Sequence, residues 1–291
     1  MEAAGLYGSE HAGLYDGTAN YSIHSTVPRL YFGLSNWRAI LQRHRGPEST
    51  QLFPSFEERV PAAVFIAKNC NGNFRNYVIR ELSLRGVPIH SISDCAPGAT
   101  LQRWPMSASR HDKLGALRAY RVYLAFENDV QDSYVTEKAI DGFAAGAVPL
   151  YLGAPNVADY VPADGFISAG AVVESDDEAR ASALDALAER VRRAIENKTE
   201  WQGYMAWREQ PLERLNGGAL WQRWSWTYGV DDVCRFCRFA YASLTPGASW
   251  DHDRQQIAGK SPPPRRGDRA AWAAWRQYTS SHRARVAASG A

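Results

Sequence analysis

Two positively charged residues stand at the starts of two predicted helices, in positions that suit anion binding. Arg75 falls in the opening turn of a helix that follows the short apolar run at 62–67. Lys138 falls in the opening turn of a second helix, for which Thr136 is the predicted N-cap. A helix amino terminus carries roughly half a positive charge and exposes N–H groups, to which Arg adds a bidentate fork and Lys a point charge. Together these groups suit a pyrophosphate.

Three further polar residues belong to the same segment. Glu137 follows the N-cap, where a carboxylate is ordinary capping chemistry, but beside a pyrophosphate it would be repelled unless it faced hydroxyl groups. A sugar carried on a nucleotide supplies such hydroxyls, and Asn128 and Tyr134 offer amide and phenol groups of the kind that orient sugars and bases. The chain contains neither GxGxxG nor GxxxxGK[ST], which disfavours nicotinamide dinucleotides and P-loop nucleotides. Each of these residues alone is more often solvated surface, so the hypothesis rests on their convergence.

Alternating strand and helix patterns must position these residues. The first unit is the apolar run AAVFIA, a helix FRNYVIREL ending near Gly86, and the extended VPIHSI; the second is HDKLGALRAY helical, RVYLAFEN extended, TEKAIDGFAAG helical and AVPLYLG extended. Residues 177–198 and the segment EWQGYMAWREQPLERL are each predicted to be one helix. This order predicts an α/β fold with a doubly wound parallel sheet, which binds ligands beyond the carboxyl ends of its strands.

Composition excludes several classes of protein. The 291 residues are 45% hydrophobic, enough for a core, and the net charge of +2 gives no field favouring nucleic acid. We expect no membrane span and no signal segment in this chain, because it has no run of eighteen apolar residues and no basic, then apolar, start. Sequons at Asn20 and Asn197 permit glycosylation in a secretory compartment.

The four cysteines leave several alternatives open. Cys234 and Cys237 form a CxxC, which we interpret as a structural disulfide or two buried thiols. A zinc site would need two more ligands at comparable spacing, and Cys70 and Cys95 are too far apart to supply them. Redox chemistry would require this CxxC at a helix start after a strand. A zinc or redox protein is therefore the least favoured hypothesis.

Several motifs together resemble one enzyme family. FEND, SYVTEK, AGAVPLYLGAPN and DYVP follow one another as in the α1,3/4-fucosyltransferase family, whose signature is roughly FENS, DYVTEK and AGxVPVVxGxPN. The resemblance extends upstream through KNCNGNFRNYVIREL and downstream to YMAWREQPL and VCRFC, covering most of 60–240. The VCRFC segment and the start MEAAGLYGSE look most like the plant-type core α1,3-fucosyltransferases that act on N-glycans. The chain departs from the pattern at Lys68, where the family has serine.

The resemblance implies GDP-fucose as donor and a glycan or glycoprotein as acceptor, in a GT-B architecture of two Rossmann-like domains. By position, Arg75 and Lys138 would neutralise the pyrophosphate, Asn128 and Tyr134 would contact the nucleotide sugar, and Glu137 the fucose. Family members invert configuration, so a carboxylate deprotonates the GlcNAc hydroxyl that attacks the anomeric carbon. Glu2 alone matches that base.

The resemblance and the composition together indicate the organisation of the chain. Residues 1–55 are predicted to be a remnant of the acceptor domain, 56–245 the GDP-fucose-binding domain, and 246–291, rich in proline and charge, a disordered basic tail. No essential metal is expected, and the family implies the Golgi apparatus with a membrane anchor that this chain does not display. The alternative to an enzyme is a non-catalytic GDP-sugar-binding remnant, because most of the acceptor domain is missing.

Overall fold

The computed structural model describes residues 17–22, 24–70, 73–92, 102–103, 113–227, 232–244 and 248–259. The chain divides into two compact units: Leu30–Ser225, and a smaller unit made of Met1–Arg29 with Trp226–Ala291. The larger unit contains the central sheet.

Six parallel strands form that sheet. They are β1 Val60–Phe65, β2 Ile89–Ser91, β3 Gln102–Arg103, β4 Tyr120–Phe126, β5 Val148–Leu152 and β6 Ile167–Ser168. Their order is β3-β2-β1-β4-β5-β6, so the chain first winds outward from β1 in one direction and then from β4 in the other. The doubly wound parallel sheet expected from the sequence is therefore confirmed.

Helices cover both faces of the sheet. In the larger unit they are α1 Leu34–Arg45, α2 Ser49–Leu52, α3 Asn73–Leu84, α4 Lys113–Arg118, α5 Glu137–Ala145, α6 Gly170–Glu174, α7 Asp177–Glu196, α8 Lys198–Tyr204 and α9 Ala219–Trp224. Helices α3 and α7 pack together on one face, while α4 and α5 pack together on the other. As predicted, Thr136 is the N-cap of α5, and its side chain accepts from the Lys138 N–H. Gly146 is the C-cap, with a φ of 65° that favours glycine.

The core explains why β4 occupies the centre. Val122, Leu124 and Phe126 point to the face covered by α3 and α7, where they join one cluster of buried apolar side chains. The whole of β4 except Arg121 is buried, as expected for a parallel strand with helices on both sides. Burying each large apolar side chain contributes about 1.5 to 3 kcal/mol, so the strand ends that carry the polar residues are firmly anchored.

Helix α1 lies inside the region predicted to be a remnant of another domain, yet it packs within the sheet unit. Trp37 is 1% exposed, and its Nε1 donates to the Tyr160 carbonyl over 3.2 Å. Its ring meets that of Phe143 on α5 edge to face, with 5.1 Å between centroids. The sheet unit therefore begins before residue 56, while the assignment of 1–55 to an acceptor domain stays a prediction.

The single helix predicted for EWQGYMAWREQPLERL is wrong. Helix α8 ends at Tyr204, and two 3₁₀ segments follow, at Ala206–Glu209 and Leu212–Gly218. Pro211 separates these segments because it has no N–H to donate and disfavours helical geometry in Gln210, which is extended with ψ 135°.

The smaller unit contains α10 Asp232–Leu244 and an antiparallel hairpin of β7 Ala248–Asp251 and β8 Gln256–Gly259. The hairpin lies in the segment predicted to be disordered, so that prediction is wrong for 248–259; residues 260–291 lie outside the described part of the chain. Trp250 explains the difference, because its ring packs on Phe239 and its Nε1 donates to the Thr26 carbonyl over 3.1 Å. One large aromatic side chain thus anchors a segment that is polar on average.

The CxxC also differs from its prediction. Cys234 and Cys237 are exposed thiols one turn apart on α10, neither bonded to each other nor buried. Cys70 is disulfide-bonded, and Cys95 lies outside the described residues.

Candidate active site

The candidate site lies at the carboxyl edge of the sheet, where the strand order reverses between β1 and β4. A crevice forms at such a point because the two connections leave toward opposite faces. The loop after β1 leads to α3 and the loop after β4 leads to α5. The two predicted cations, Arg75 and Lys138, therefore lie in helices that follow neighbouring strands.

Arg75 spans the gap between these loops. Its Nη1 donates to Asn128 Oδ1 over 2.8 Å, and its Nη2 donates to the Asn69 carbonyl over 2.5 Å. The guanidinium lies over the Phe65 ring and the residue is only 2% exposed. Burial lowers the pKa of Arg75, and this effect is partly offset by Tyr123 and Glu127. The side chain stays a cation, fixed by its hydrogen bonds.

Lys138 lies on the other side of the end of β4, in the first turn of α5. Its Nζ is 3.2 Å from Glu127 Oε2, 3.1 Å from Thr136 Oγ1 and 3.5 Å from Glu137 Oε1. The side chain is 14% exposed, so its ammonium group is partly withdrawn from water. Arg75 and Lys138 therefore flank the adjacent residues Glu127 and Asn128, each bonded to one of them.

Glu127 joins the network and was not predicted as a site residue. Its side chain is fully buried. Its oxygens accept from the Thr136 N–H over 2.8 Å, from the Thr136 hydroxyl and from Lys138. Burial raises the pKa of Glu127, against the lowering effect of Lys138 and Thr136. The carboxylate holds the N-cap and the ammonium group in fixed positions. Its place directly after the last residue of a buried strand was the available signal.

The other predicted residues surround this network. The Glu137 side chain is 53% exposed and faces Lys138; burial would raise the pKa of Glu137, but Lys138, its own backbone N–H and Lys113 outweigh burial and lower it. Tyr134 is half-buried, its ring 6.3 Å from that of Tyr31 and edge to face with it. Tyr31 is 52% exposed, an aromatic surface beside the site that the sequence did not indicate.

A cavity of about 380 Å³ opens at this edge. Arg75, Glu127 and Asn128 line it together with the apolar Phe74 and Leu152. This combination of a buried cation, an amide and apolar walls suits a ligand with an anionic part and a planar or apolar part. Asp129, also on the wall, is exposed and adds a negative charge at the mouth.

Two predicted features remain outside this geometry. Glu2, the predicted base, lies outside the described residues. Lys68 is exposed in the loop after β1.

Among the residues that the structure describes, no group of three or more His, Cys, Asp or Glu side chains is placed to hold a metal ion. Within the same residues, no helix is both long enough and apolar enough to cross a bilayer.

The fold and the site together define a Rossmann-like unit with two cations at its switch point, the class to which nucleotide-binding domains belong. The model of the family described as "Glycosyltransferase family 10 (fucosyltransferase) C-term" matches residues 56–245. The chain belongs to this family.

Several curated relatives are similar to the chain. It is 27% identical over 258 residues to "GDP-fucose protein O-fucosyltransferase 3" of Gallus gallus, covering 86% of this chain and 51% of the relative. It is 25% identical over 272 residues to the protein of the same name from Homo sapiens, covering 86% and 54%. A "Putative fucosyltransferase-like protein" of Arabidopsis thaliana is 32% identical over 155 residues, which are 53% of this chain and 26% of that protein. The chain spans about half the length of the O-fucosyltransferase relatives.

A solved structure described as "Crystal Structure of alpha1,3-Fucosyltransferase with GDP-fucose" aligns with 63% of this chain and 46% of its own, at 22% identity and a TM-score of 0.41.

Proposed function

We propose that this chain binds GDP-fucose at the carboxyl edge of its sheet and transfers fucose, with inversion, to a hydroxyl of a glycoprotein acceptor. The observation that carries the proposal is the placement of Arg75 and Lys138 on the two sides of the end of β4, at the switch point. Family membership supports fucose as the sugar.

Stabilisation of the leaving group is the role we assign to the two cations. As the bond between fucose and GDP breaks, negative charge grows on the diphosphate oxygens. Two cations already held in place stabilise that charge without reorganising during the reaction. The amino terminus of α5 adds N–H groups at the same edge, and with these cations no metal ion is required. When a diphosphate binds, we expect Lys138 to share its ammonium protons between the ligand and Glu127.

The remaining residues take positioning roles in this proposal. Asn128 and Tyr134 contact the nucleotide sugar, and Glu137 accepts hydrogen bonds from fucose hydroxyls. Glu2 acts as the base that removes the proton from the acceptor hydroxyl while that oxygen forms the bond to the anomeric carbon. These four roles come from the resemblance of the motifs. Glu2→Gln should abolish transfer while leaving GDP affinity unchanged, and retained turnover would exclude Glu2 as the base.

Two acceptors are compatible with this chemistry. The motif resemblance favours a GlcNAc hydroxyl in an α1,3 linkage, as in plant-type core fucosylation. The names of the relatives favour a hydroxyl of the polypeptide itself. Both place the protein in glycoprotein synthesis, and we propose the Golgi apparatus as its compartment by analogy with the resembling family.

A binding protein without transferase activity is the second candidate. Such a remnant would bind GDP-fucose with the same residues and transfer no fucose.

One experiment separates these possibilities. The purified chain is incubated with labelled GDP-fucose and, in parallel, with an N-glycan acceptor and with an unglycosylated secreted protein domain, while GDP binding is measured by calorimetry. Transfer to the N-glycan supports the first acceptor and transfer to the bare domain the second. GDP binding without transfer supports the remnant, and the absence of GDP binding contradicts the whole proposal.

A further inference from the structure

A second cavity, of about 310 Å³, lies at the opposite edge of the sheet. Its walls include Phe53 and Phe56, which precede β1, together with Trp201 of α8 and His44 of α1. Phe53 and Phe56 lead into the amino end of β1, whereas the candidate active site lies beyond the carboxyl ends of the strands. The two cavities share no lining residue.

Two arginines give this region positive charge. Arg208 lines the cavity, with its Cζ 5.8 Å from the centre of the Trp201 ring. Arg59, only 1% exposed, lies 5.3 Å from the same ring. Neither guanidinium forms an ion pair with a carboxylate among the described residues. The Glu57 carboxylate, also on the cavity wall, instead pairs with Lys198 over 2.8 Å.

The hydrogen bonds of Arg59 do not neutralise its charge. Nε donates to the Pro54 carbonyl over 3.0 Å, and Nη1 donates to the carbonyls of Arg118 and Tyr120. The buried Nη2 has no hydrogen-bond partner in the described structure. Carbonyl dipoles solvate a cation without supplying the compensating charge that a buried ion requires.

His44 reports the same positive environment. Its Nε2 lies 2.8 Å from the Phe143 carbonyl, which only accepts, so Nε2 carries the proton and Nδ1 does not. Burial, together with the charges of Arg208, Arg59 and Arg118, lowers the pKa of His44 to about 4, against the raising effect of its hydrogen bond to the Phe143 carbonyl. The ring is therefore neutral at physiological pH, and it stacks on Phe53 at 3.9 Å between centroids.

We propose that this cavity is a second ligand site, which binds the phosphate group of a small molecule against Arg208, with Arg59 contributing buried positive charge behind it. The hydroxyl of Ser49, on the same wall, adds a donor to the phosphate. The aromatic walls would receive the apolar remainder of the molecule. The proposal does not depend on the donor site, because the two cavities are separate.

Inorganic phosphate is the probe, and the thermal unfolding midpoint is the measurement. Phosphate is titrated into the wild type in the presence of saturating GDP, and separately into the Lys138→Ala variant. In both titrations, phosphate binding at the carboxyl edge of the sheet cannot account for a rise in the midpoint. We expect phosphate to raise the midpoint of the wild type and of Lys138→Ala in a saturable way. Arg208→Gln should weaken the apparent phosphate affinity by tenfold or more, while the matched control Arg214→Gln, at an exposed arginine a few residues away, should respond like the wild type.

Three results would overturn the proposal: no saturable response in the wild type, an equal response in Arg208→Gln, or loss of the response in Lys138→Ala. Because Arg208→Gln could fold poorly, Gln202→Glu provides a second test. Gln202 is exposed and lines the same cavity. A carboxylate there should occupy the positive region and abolish the phosphate response in a folded protein. An unchanged response in Gln202→Glu would also contradict the proposal.

Discussion

The two edges of the sheet hold their least exposed cations in different ways. At the carboxyl edge, Lys138 pairs with the buried carboxylate of Glu127, and Arg75 bonds to the amide of Asn128. At the amino edge, Arg59 donates only to backbone carbonyls, and Arg208, Arg59 and Arg118 place positive charge beside a neutral His44. At the carboxyl edge, an incoming ligand can accept hydrogen bonds from cations that are held by other side chains. At the amino edge, the arginine connects a loop to the end of a strand through backbone carbonyls.

This difference distinguishes two roles of positively charged side chains, ligand binding and structural cross-linking. A cation held by a side-chain partner keeps further donors for an incoming anion. A cation held by three carbonyls from two chain segments acts as a cross-link, so its removal should affect folding far more than ligand binding. The comparison can be tested by substitutions at each edge.

The largest effect is expected for Arg59→Met. The change leaves the carbonyls of Pro54, Arg118 and Tyr120 without their donor in a buried place, and we expect the free energy of unfolding to fall by about 4 kcal/mol. Chemical denaturation measures this loss. Arg80→Met is the matched control, because the Arg80 side chain is 59% exposed and should change stability by less than about 0.5 kcal/mol. Equal effects of the two variants would show that Arg59 is not a cross-link.

A second effect concerns acid stability at the amino edge. The pKa of His44 is lowered from 6.5 to about 4 in the folded protein. As the pH falls below 6.5, His44 is protonated in the unfolded chain but stays neutral in the folded protein. The free energy of unfolding therefore decreases progressively down to pH 4, by up to about 3 kcal/mol. His44→Gln should remove this slope, and the comparison is the unfolding free energy of both proteins across that range. Parallel curves would contradict the assignment.

At the carboxyl edge, Lys138→Ala should weaken GDP binding by about 2 kcal/mol, roughly thirtyfold, because a charge-assisted contact to the diphosphate is lost. Isothermal calorimetry gives the dissociation constant. Lys198→Ala, at the other edge, removes a lysine paired with Glu57 and should leave GDP affinity unchanged. An unaltered affinity in Lys138→Ala would remove this residue from the donor site.

Arg75→Ala should weaken GDP binding similarly, with an added loss of stability because Arg75 is buried.

The smallest effect is expected at Asp129, whose carboxylate lies on the wall of the carboxyl-edge cavity. Asp129→Asn removes a negative charge that repels a diphosphate, and should tighten GDP binding by about 0.5 kcal/mol. The gain should disappear at 1 M salt, where exposed charges are screened. Weaker binding at low salt would instead mean that Asp129 contacts the ligand directly.

The sequence predicted the elements whose signals are local. Thr136 and Gly146 bound α5 because capping depends on a few neighbouring residues, and β1, β4 and β5 follow from continuous apolar runs. The positions of Arg75 and Lys138 near one strand end follow from the topology of parallel sheets. Their common placement was therefore predictable before any coordinates.

Features that depend on distant contacts were not predicted. The place of Glu127 directly after a buried strand was a local signal, but its partner Thr136 lies nine residues later, and the sequence does not show that this residue donates to it. Arg59 and Arg118 meet only because β1 and β4 pair. The hairpin at 248–259 depends on Trp250 reaching Thr26, more than two hundred residues earlier.

The packing of Trp37 against Phe143 has a practical consequence for protein production. A fragment cut at the limits of the family match would begin at residue 56 and lose helix α1. The aromatic side of α5 would then face water, with Phe143 no longer covered by the indole and the Tyr160 carbonyl deprived of its donor. Since α5 also carries Lys138, the trimmed fragment should aggregate or bind nucleotides weakly, and expression should start no later than Leu30.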